Sequence, residues 1–222
     1  MSVFIAPIVE GHAEDKTVER LLHRVWNELL RCPARLQVLP ALRPKQGQLL
    51  QLNGVVLADN VRKAFLKLQA KVKKAPNAVG LVLLLFDAEK NCPAALGPRL
   101  LATATSAQSN ARIACVLAKK MFENWLVAGS ATLHGLNGLP NPLPAVVNVE
   151  DLGGKAWFEQ QLRSVDPRRA YSETVDSPAY VAAMDVAAAR LNSPSFDKLC
   201  RELEKLIPPP TPPSDPAADT LT

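Results

Sequence analysis

The stretch "VGLVLLLFD" at residues 79–87 constrains the fold of this chain more than any other segment. It is an unbroken apolar run of strand length, and a charged residue follows only at its end. A strand with one wet face alternates apolar and polar residues, whereas a strand covered on both faces does not. The run therefore predicts a central strand of a parallel sheet that helices cover on both sides.

Strand and helix patterns alternate through the first part of the chain. Short apolar runs predict strands at residues 3–9, 35–42, 79–87 and 112–118. Apolar residues at helical spacing follow each strand, at 18–29, 61–72, 97–106 and 119–129. This order predicts an α/β fold with right-handed crossovers, in which ligands bind at the carboxyl ends of the strands. Pro40 favours an edge position or a strand end for the second strand.

The alternation of strand and helix patterns ends near residue 135, where a turn-rich segment leads into helical patterns. Helices are predicted at 178–190 and at 194–206, with Ser193 as the N-cap and Pro194 in the first helical position. The end of the chain is polar and rich in proline, which disfavours folding. We therefore expect a core domain at 1–135, a helical extension packed on it at 136–207, and a disordered tail at 208–222.

Composition excludes some classes of protein and leaves others open. The 222 residues are 48% hydrophobic, enough for one sizeable core, and the net charge of +5 slightly favours polyanionic partners. No stretch reaches the roughly 18 apolar residues of a membrane span, and the first residues lack the pattern of a signal peptide. We expect a cytoplasmic protein that is not bound to a membrane; an oligomer stays open.

Four cysteines, Cys32, Cys92, Cys115 and Cys200, are spread along the chain without a CxxC pair. No histidine stands at metal-ligand spacing from any of them, so we expect reduced thiols in the core. A helix at 61–72 carries several lysines on its polar face, including Lys67 and Lys71. Such a face is usually solvated, but with Lys45 in the preceding loop it could also contact the phosphates of a nucleic acid.

Acidic residues follow several of the predicted strands. Glu10 comes after the first strand, Asp87 and Glu89 after the third, and Glu123 just beyond the fourth. The carboxyl ends of parallel strands meet at one edge of a sheet, so these side chains should converge. Packed carboxylates repel unless a cation neutralises them, and Mg²⁺ prefers oxygen ligands. The pattern predicts a metal site, although each acid alone could instead cap a helix or face water.

Residues next to Glu10 have alternative roles. Glu14 and Asp15 are typical of acids that complement a helix dipole in its first turn, although Glu14 could also reach the site. Gly11 would let a phosphate approach the backbone closely. His12 fits a loop residue better than a metal ligand.

The segments "IVEG", "LLLFDAE" and "FENWLVAG", in this order, resemble the Toprim catalytic domain of topoisomerases, primases and nucleases of the overcoming-lysogenization-defect (OLD) type. The longer segments "IVEGHAEDKTVERLL", "FDAEKNCPAALG", "VLAKKMFENWLVAG", "YSETVDSPAY" and "SPSFDKLCRELEKL" are similar to a bacterial Toprim-like family of unknown function. The resemblance implies a Rossmann-like Toprim fold, a parallel-sheet core with flanking helices and an α-helical C-terminal extension.

The resemblance also implies roles for individual residues. Glu10 would act in acid-base chemistry or metal binding, and Asp87 and Glu89 would hold Mg²⁺ or Mn²⁺. Glu89 departs from the Toprim pattern, which has aspartate there. Glu123 resembles a further metal-binding glutamate of nuclease-type Toprim domains, and Lys155 resembles a basic residue that stabilises charge on the phosphoryl group. Alternatively, Glu123 is a surface helix residue and Lys155 a solvated lysine.

Two functions follow from these expectations. The first is Mg²⁺-dependent phosphodiester chemistry on DNA or RNA, most simply hydrolysis, with contacts from Gly11, Lys45, Lys67 and Lys71. The resemblance to OLD-type nucleases implies a role in bacterial defence with a separate ATPase, since the chain has no GxxxxGK[ST] phosphate loop. The second is a non-catalytic Toprim-fold subunit that binds or regulates. Trp125 and Trp157 are expected to be packing residues, and Tyr171 and Tyr180 lack a recognisable nucleophile context.

Overall fold

The computed structural model describes residues 1–44 and 54–207. Lys45 and the predicted tail at 208–222 lie outside the described residues. The strands are β1 (Ser2–Val9), β2 (Arg35–Val38), β3 (Ala78–Asp87) and β4 (Ile113–Ala118). The helices are α1 (His12–Arg24), α2 (Val55–Val72), α3 (Pro93–Ala107), α4 (Glu123–Ala128), α5 (Gly154–Val165), α6 (Asp176–Ala183), α7 (Val186–Asn192) and α8 (Pro194–Glu204). A π-helical turn, Val25–Leu29, continues α1, and short 3₁₀ turns lie at Ser130–Thr132, Leu136–Gly138 and Val149–Asp151.

The four strands form one parallel sheet in the order β2-β1-β3-β4. This confirms the predicted α/β fold and the central position of the 79–87 strand. The second strand lies at an edge, as Pro40 indicated, but it ends at Val38 rather than at residue 42. Leu39 still donates to the Ile5 carbonyl, and Leu42 forms an isolated bridge with Ile8 beyond the proline. Pro40 has no N–H for the ladder, so the regular strand stops before it.

Alternate residues of β3 enter two separate hydrophobic cores. Leu81, Leu83 and Leu85 pack on the face covered by α1 and the C-terminal helices. Val82 and Leu84 pack on the other face, against α2 and α3. All of these side chains are at most 2% exposed, which explains why the strand shows no polar alternation.

The C-terminal helices share the first of these cores with the sheet. Phe158 in α5, Tyr180 in α6 and Phe196 in α8 are fully buried in the same cluster as β1 and β3 residues. Arg24 of α1 also donates to the carbonyls of Val181 and Met184, at 2.8 and 2.6 Å. The extension is therefore packed on the sheet, while the boundary at residue 135 stays a prediction.

The predicted helix at 178–190 is wrong, because two helices, α6 and α7, cover this region. Asp185 interrupts the run: its side chain accepts hydrogen bonds from the N–H groups of Ala187 and Ala188 and so caps α7. Its own N–H bonds to the carbonyl of Gly129. The predicted start of α8 is confirmed, with Pro194 in the first turn and the Ser193 hydroxyl accepting from the Phe196 N–H at 3.2 Å.

Cysteine and tryptophan burial largely follows expectation. Cys32, Cys115 and Cys200 are buried free thiols, but Cys92, at the N-cap of α3, is exposed, so the expectation of core burial is wrong for that residue. Trp125 and Trp157 are buried packing residues. Among the described helices, none combines the length and the apolar composition that crossing a bilayer requires.

A carboxylate cluster at the carboxyl ends of the strands

The strand register brings the predicted acids to one edge of the sheet. Val9 pairs with Leu85, and Asp87 pairs with Ala118 at the end of β4. Glu10 directly follows Val9 and is only 6% exposed. The ends of β1, β3 and β4 therefore lie side by side, as parallel pairing requires.

Glu123, which is buried, and Asp87, which is half-buried, each have a buried and unsatisfied oxygen at this edge. Glu123 begins α4 and is 1% exposed, which rules out a surface helix residue. Asp87 Oδ1 and Glu123 Oε2 are buried and have no hydrogen-bond partner among the described residues. Leaving a carboxylate oxygen buried and unpaired is costly, so such atoms usually indicate a ligand or a functional role.

Burial and mutual repulsion perturb the titration of these acids. Burial chiefly raises the pKa of Asp87 well above its usual range, and the charges of Glu14 and Glu123 raise it further. Lys155 and a backbone hydrogen bond from Phe122 oppose that rise. Burial also raises the pKa of Glu123, while Lys155 lowers it. Burial therefore disfavours the ionised forms of both side chains unless a further positive charge is supplied.

Glu14 belongs to the same group of acids. We call Glu10, Glu14, Asp87 and Glu123 the carboxylate cluster. Burial raises its pKa to about 7, a backbone hydrogen bond to its own N–H lowers it, and the charge of Glu123 contributes to the rise. Its carboxylate folds over Gly11: a Cβ added at Gly11 would lie within 2.0 Å of Glu14 Oε2. Gly11 thus makes room for a carboxylate of this chain. Sequence reasoning placed Glu14 chiefly at the helix dipole, although the E-G-x-x-E spacing puts both acids beside the first turn of α1.

Lys155 is the cation of the cluster. Its Nζ lies 2.6 Å from Glu173 Oε1 and 3.9 Å from Glu123 Oε1. It is therefore more than a solvated lysine. Sequence reasoning missed Glu173, which lies in the quoted "YSETVDSPAY" segment together with Tyr171.

The Tyr171 hydroxyl lies 3.4 Å from Glu123 Oε1 and 2.5 Å from Ser177 Oγ. Burial chiefly raises the pKa of Tyr171 well above its usual value, which disfavours a phenolate nucleophile.

Asn124 fixes the position of Lys155 relative to Glu123. Its Oδ1 accepts a hydrogen bond from the Gly154 N–H at 2.9 Å, and its Nδ2 donates to the carbonyls of Glu150 and Leu152. A Cβ on Gly154 would lie 2.8 Å from the Asn124 backbone nitrogen, so only glycine allows this approach. The "FEN" and "GGK" segments thus join the amino ends of α4 and α5.

Glu89 lies at the rim of the cluster. It is exposed, and its φ of 50° puts it in the left-handed region that longer side chains seldom adopt. With Asp87 it lines an open cleft of about 550 Å³, whose other lining residues include Lys90, Lys119, Lys120 and Lys155. We call this cleft the acidic cleft. Its rim is basic, so an anionic substrate would meet positive charge before it reached the acids.

The predicted phosphate contacts on α2 are not brought to this edge. Lys67 and Lys71 lie in the last two turns of α2, which leads directly into the beginning of β3. They are therefore near the amino-terminal edge of the sheet, and Asp87 is at the opposite end of β3. The lysines that line the acidic cleft beside the acids are instead Lys90, Lys119, Lys120 and Lys155.

The donor chemistry of the cluster fits a divalent cation. Its ligating groups are carboxylate oxygens, which Mg²⁺ and Mn²⁺ prefer, and no described residue hydrogen-bonds Asp87 Oδ1 or Glu123 Oε2. Within the described part of the chain, however, no group of three or more His, Cys, Asp or Glu side chains is arranged to hold a metal ion as it stands. Binding would require the carboxylates to move together or Lys155 to move away from Glu123.

Comparison with known proteins gives one family match. A model described as "Domain of unknown function (DUF4276)" matches residues 9–204, most of the chain. The chain belongs to the DUF4276 family. The matched range begins at the end of β1 and ends with α8, so in this DUF4276 protein it includes every residue of the carboxylate cluster. No curated protein and no solved structure matches the chain significantly.

Proposed function

We propose that this DUF4276 protein is a Mg²⁺- or Mn²⁺-dependent phosphodiester hydrolase that acts on nucleic acid at the carboxylate cluster. The observation that carries the proposal is the pair of buried oxygens, Asp87 Oδ1 and Glu123 Oε2, that have no hydrogen-bond partner in residues 1–44 and 54–207. Ionised carboxylates in this position need a counter-charge, and a divalent cation supplies it. Two further carboxylates, Glu10 and Glu14, are buried at the same edge.

Different side chains of the site would have different roles in this hydrolysis. Asp87 and Glu123 would hold the cation with help from Glu14, and Glu89 would contact it from the rim. A bound divalent cation would polarise the phosphoryl oxygens and lower the pKa of a water molecule. Glu10 would accept the proton of the attacking water. Lys155 would stabilise the negative charge that develops on the phosphoryl oxygens.

The wider setting of this activity is also a proposal. The resemblance to OLD-type nucleases favours a cytoplasmic defence role in which a separate ATPase controls cleavage, because the chain has no phosphate loop of its own. The net charge of +5 and the lysines of the acidic cleft support an anionic polymer as the substrate.

A second candidate function is a non-catalytic Toprim-fold subunit that binds or regulates a partner. It is favoured by the ion pair between Lys155 and Glu173 and by the approach of Lys155 to Glu123. In this alternative the lysine supplies the counter-charge permanently, and no cation is needed.

Cleavage assays separate the two candidates. Wild type, Asp87→Asn and the control Asp59→Asn would be incubated with single-stranded and duplex DNA and RNA in Mg²⁺ or Mn²⁺. Asp59 is an exposed α2 residue paired with Arg62, so its variant tests the same chemical change far from the cluster. We expect cleavage by wild type and by Asp59→Asn and none by Asp87→Asn. Inactive wild type, even with an ATPase encoded by a neighbouring gene, would favour the regulatory candidate.

A further inference from the structure

A second pocket lies beside the acidic cleft, between α3, β4 and α8. Its volume is about 500 Å³, within the usual range for small-molecule sites. Its wall is apolar, formed in part by Pro93, Pro98, Leu101 and Leu117. We call it the apolar pocket.

The rim of the apolar pocket is cationic. Lys119, Lys198 and Arg201 line it, and the one carboxylate among its lining residues is that of Glu150. Lys119 pairs with Asp151 and Arg201 with Asp197, both at 2.9 Å, whereas Lys198 makes no ion pair within the described residues. Glu150 Oε1 is already engaged, since it accepts hydrogen bonds from the Ser193 hydroxyl and the Ser195 N–H at 2.7 and 2.6 Å. Lys198 is therefore the rim cation that most favours an anionic group on whatever occupies the apolar wall, and Lys119 and Arg201 could exchange their carboxylate partners for that group.

The buried thiol of the pocket argues against covalent chemistry there. Cys115 is 4% exposed, and burial raises its pKa to about 12, although the charge of Lys198 partly opposes this. A thiol protonated at neutral pH is a poor nucleophile. The pocket is thus suited to binding.

Lys119 connects the two cavities, because it lines both the apolar pocket and the acidic cleft. It directly follows Ala118, which pairs with Asp87. A chain of phosphates that passes the acids can therefore continue over Lys119 to Lys198 and Arg201. Among anions with an apolar part, a nucleotide of the same strand is the one that this continuity favours.

We propose that the apolar pocket receives one unpaired nucleotide of the substrate strand, with its base against the apolar wall and its phosphate at Lys198 and Arg201. This inference rests on the proposed function, because it places the neighbouring phosphodiester in the acidic cleft. A base inside a duplex cannot enter such a pocket without leaving the stack, which costs free energy. The substrate class is therefore single-stranded nucleic acid or an unpaired end.

Binding without cleavage tests this directly. Labelled oligothymidylate of about twelve nucleotides, its RNA counterpart and the corresponding duplexes would be titrated in EDTA and followed by fluorescence anisotropy.

Two pairs of variants test the pocket. Gly97→Leu would place a side chain from α3 into the pocket. A Cβ at Gly97 meets only Leu117 Cδ1, at 3.8 Å, so there is room for it, and the change also removes a glycine from a helix. Ala102→Leu, on the exposed face of α3, is its control. Lys198→Glu is matched by Lys205→Glu at the end of α8.

We expect wild type to bind at least one of the single strands about tenfold more tightly than its duplex, and both pocket variants to lose about tenfold in that affinity. The controls should change it by less than about threefold. Equal affinity for single strand and duplex, or pocket variants that bind like their controls, would overturn the proposal. So would wild type that binds none of the four probes.

The proposed function is judged separately from this binding test. Mn²⁺-dependent cleavage by wild type tests the carboxylate cluster whatever the pocket variants do. If Gly97→Leu cleaves single strands with an unchanged KM, the pocket assignment fails while the hydrolase assignment stands. If wild type binds single strands through the pocket but never cleaves, the hydrolase assignment fails instead.

Discussion

Two groups of acids with buried oxygens in this protein differ in how their charge is satisfied. Asp176 is fully buried, yet it pairs with Arg169 and accepts the Ser172 N–H at 2.8 Å. Asp87 Oδ1 and Glu123 Oε2 are also buried, yet neither oxygen has a hydrogen-bond partner within the described residues. Burial alone therefore does not distinguish a structural carboxylate from a functional one. The unsatisfied oxygen does, because within the described residues no hydrogen bond replaces the water that it loses on burial.

Replacing the two aspartates by asparagine should have opposite consequences. Asp176→Asn leaves Arg169 without its charge partner, and we expect it to lower the free energy of unfolding by about 3 to 4 kcal/mol. Asp87→Asn removes repulsion and a buried charge, so it should not lower stability near neutral pH. Urea denaturation of both variants measures the contrast. Similar destabilisation by both would remove the distinction between the two groups.

Stability should also depend on pH through Glu14. Its pKa is about 7 in the folded protein and near 4.5 when unfolded, so the folded state holds a proton that the unfolded state has lost. Stability therefore falls as pH rises through this window, by up to about 3 kcal/mol. The free energy of unfolding of Glu14→Gln should match that of wild type below about pH 4.5. Between about pH 4.5 and pH 7 the variant should become increasingly more stable than wild type. The exposed Glu19→Gln is the control, and a constant difference between Glu14→Gln and wild type at all pH values would contradict this account.

Asn124 connects the cluster to the structural part of the molecule. Asn124→Ala leaves the Gly154 N–H unpaired together with the carbonyls of Glu150 and Leu152, and we expect a loss of about 2 kcal/mol. The same change should weaken activity, because it frees Lys155 from its position near Glu123. The exposed Asn110→Ala is a suitable control. Thermal melts that leave Asn124→Ala indistinguishable from this control would show that the network carries little free energy.

The smallest expected effect concerns the rim residue Glu89. Its left-handed backbone is unfavourable for glutamate, so Glu89→Asn should stabilise the protein by about 1 kcal/mol, as measured by chemical denaturation. Glu89→Asp restores the acid pair of the Toprim pattern. If Glu89 contacts the cation, metal affinity should persist or rise in Glu89→Asp and fall in Glu89→Asn. Equal metal affinity in both variants would exclude Glu89 from the site.

Local sequence patterns predicted the sheet and much of its acidic edge, because they report burial and chain direction. The unbroken apolar run identified β3, and parallel pairing then put Glu10 and Asp87 at the same edge. The apolar pattern runs through Asp185 without a break, so it did not predict the interruption of the 178–190 helix. The cap that Asp185 provides for α7 is local, but its N–H bond to the Gly129 carbonyl forms only in the folded chain. For the same reason Glu173 was missed: it meets Lys155 only through the packing of the C-terminal extension.

The central claim is that the strand-end carboxylates bind a divalent cation. The most direct test is Mn²⁺ binding at pH 8, followed by the electron paramagnetic resonance signal of the free ion, for wild type and Asp87→Asn. We expect wild type to remove free Mn²⁺ from solution, and Asp87→Asn to remain folded and bind about tenfold or more weakly, because it loses a charged ligand. Wild type that binds no Mn²⁺ at about millimolar concentration, or Asp87→Asn that binds it as tightly as wild type does, would contradict the account.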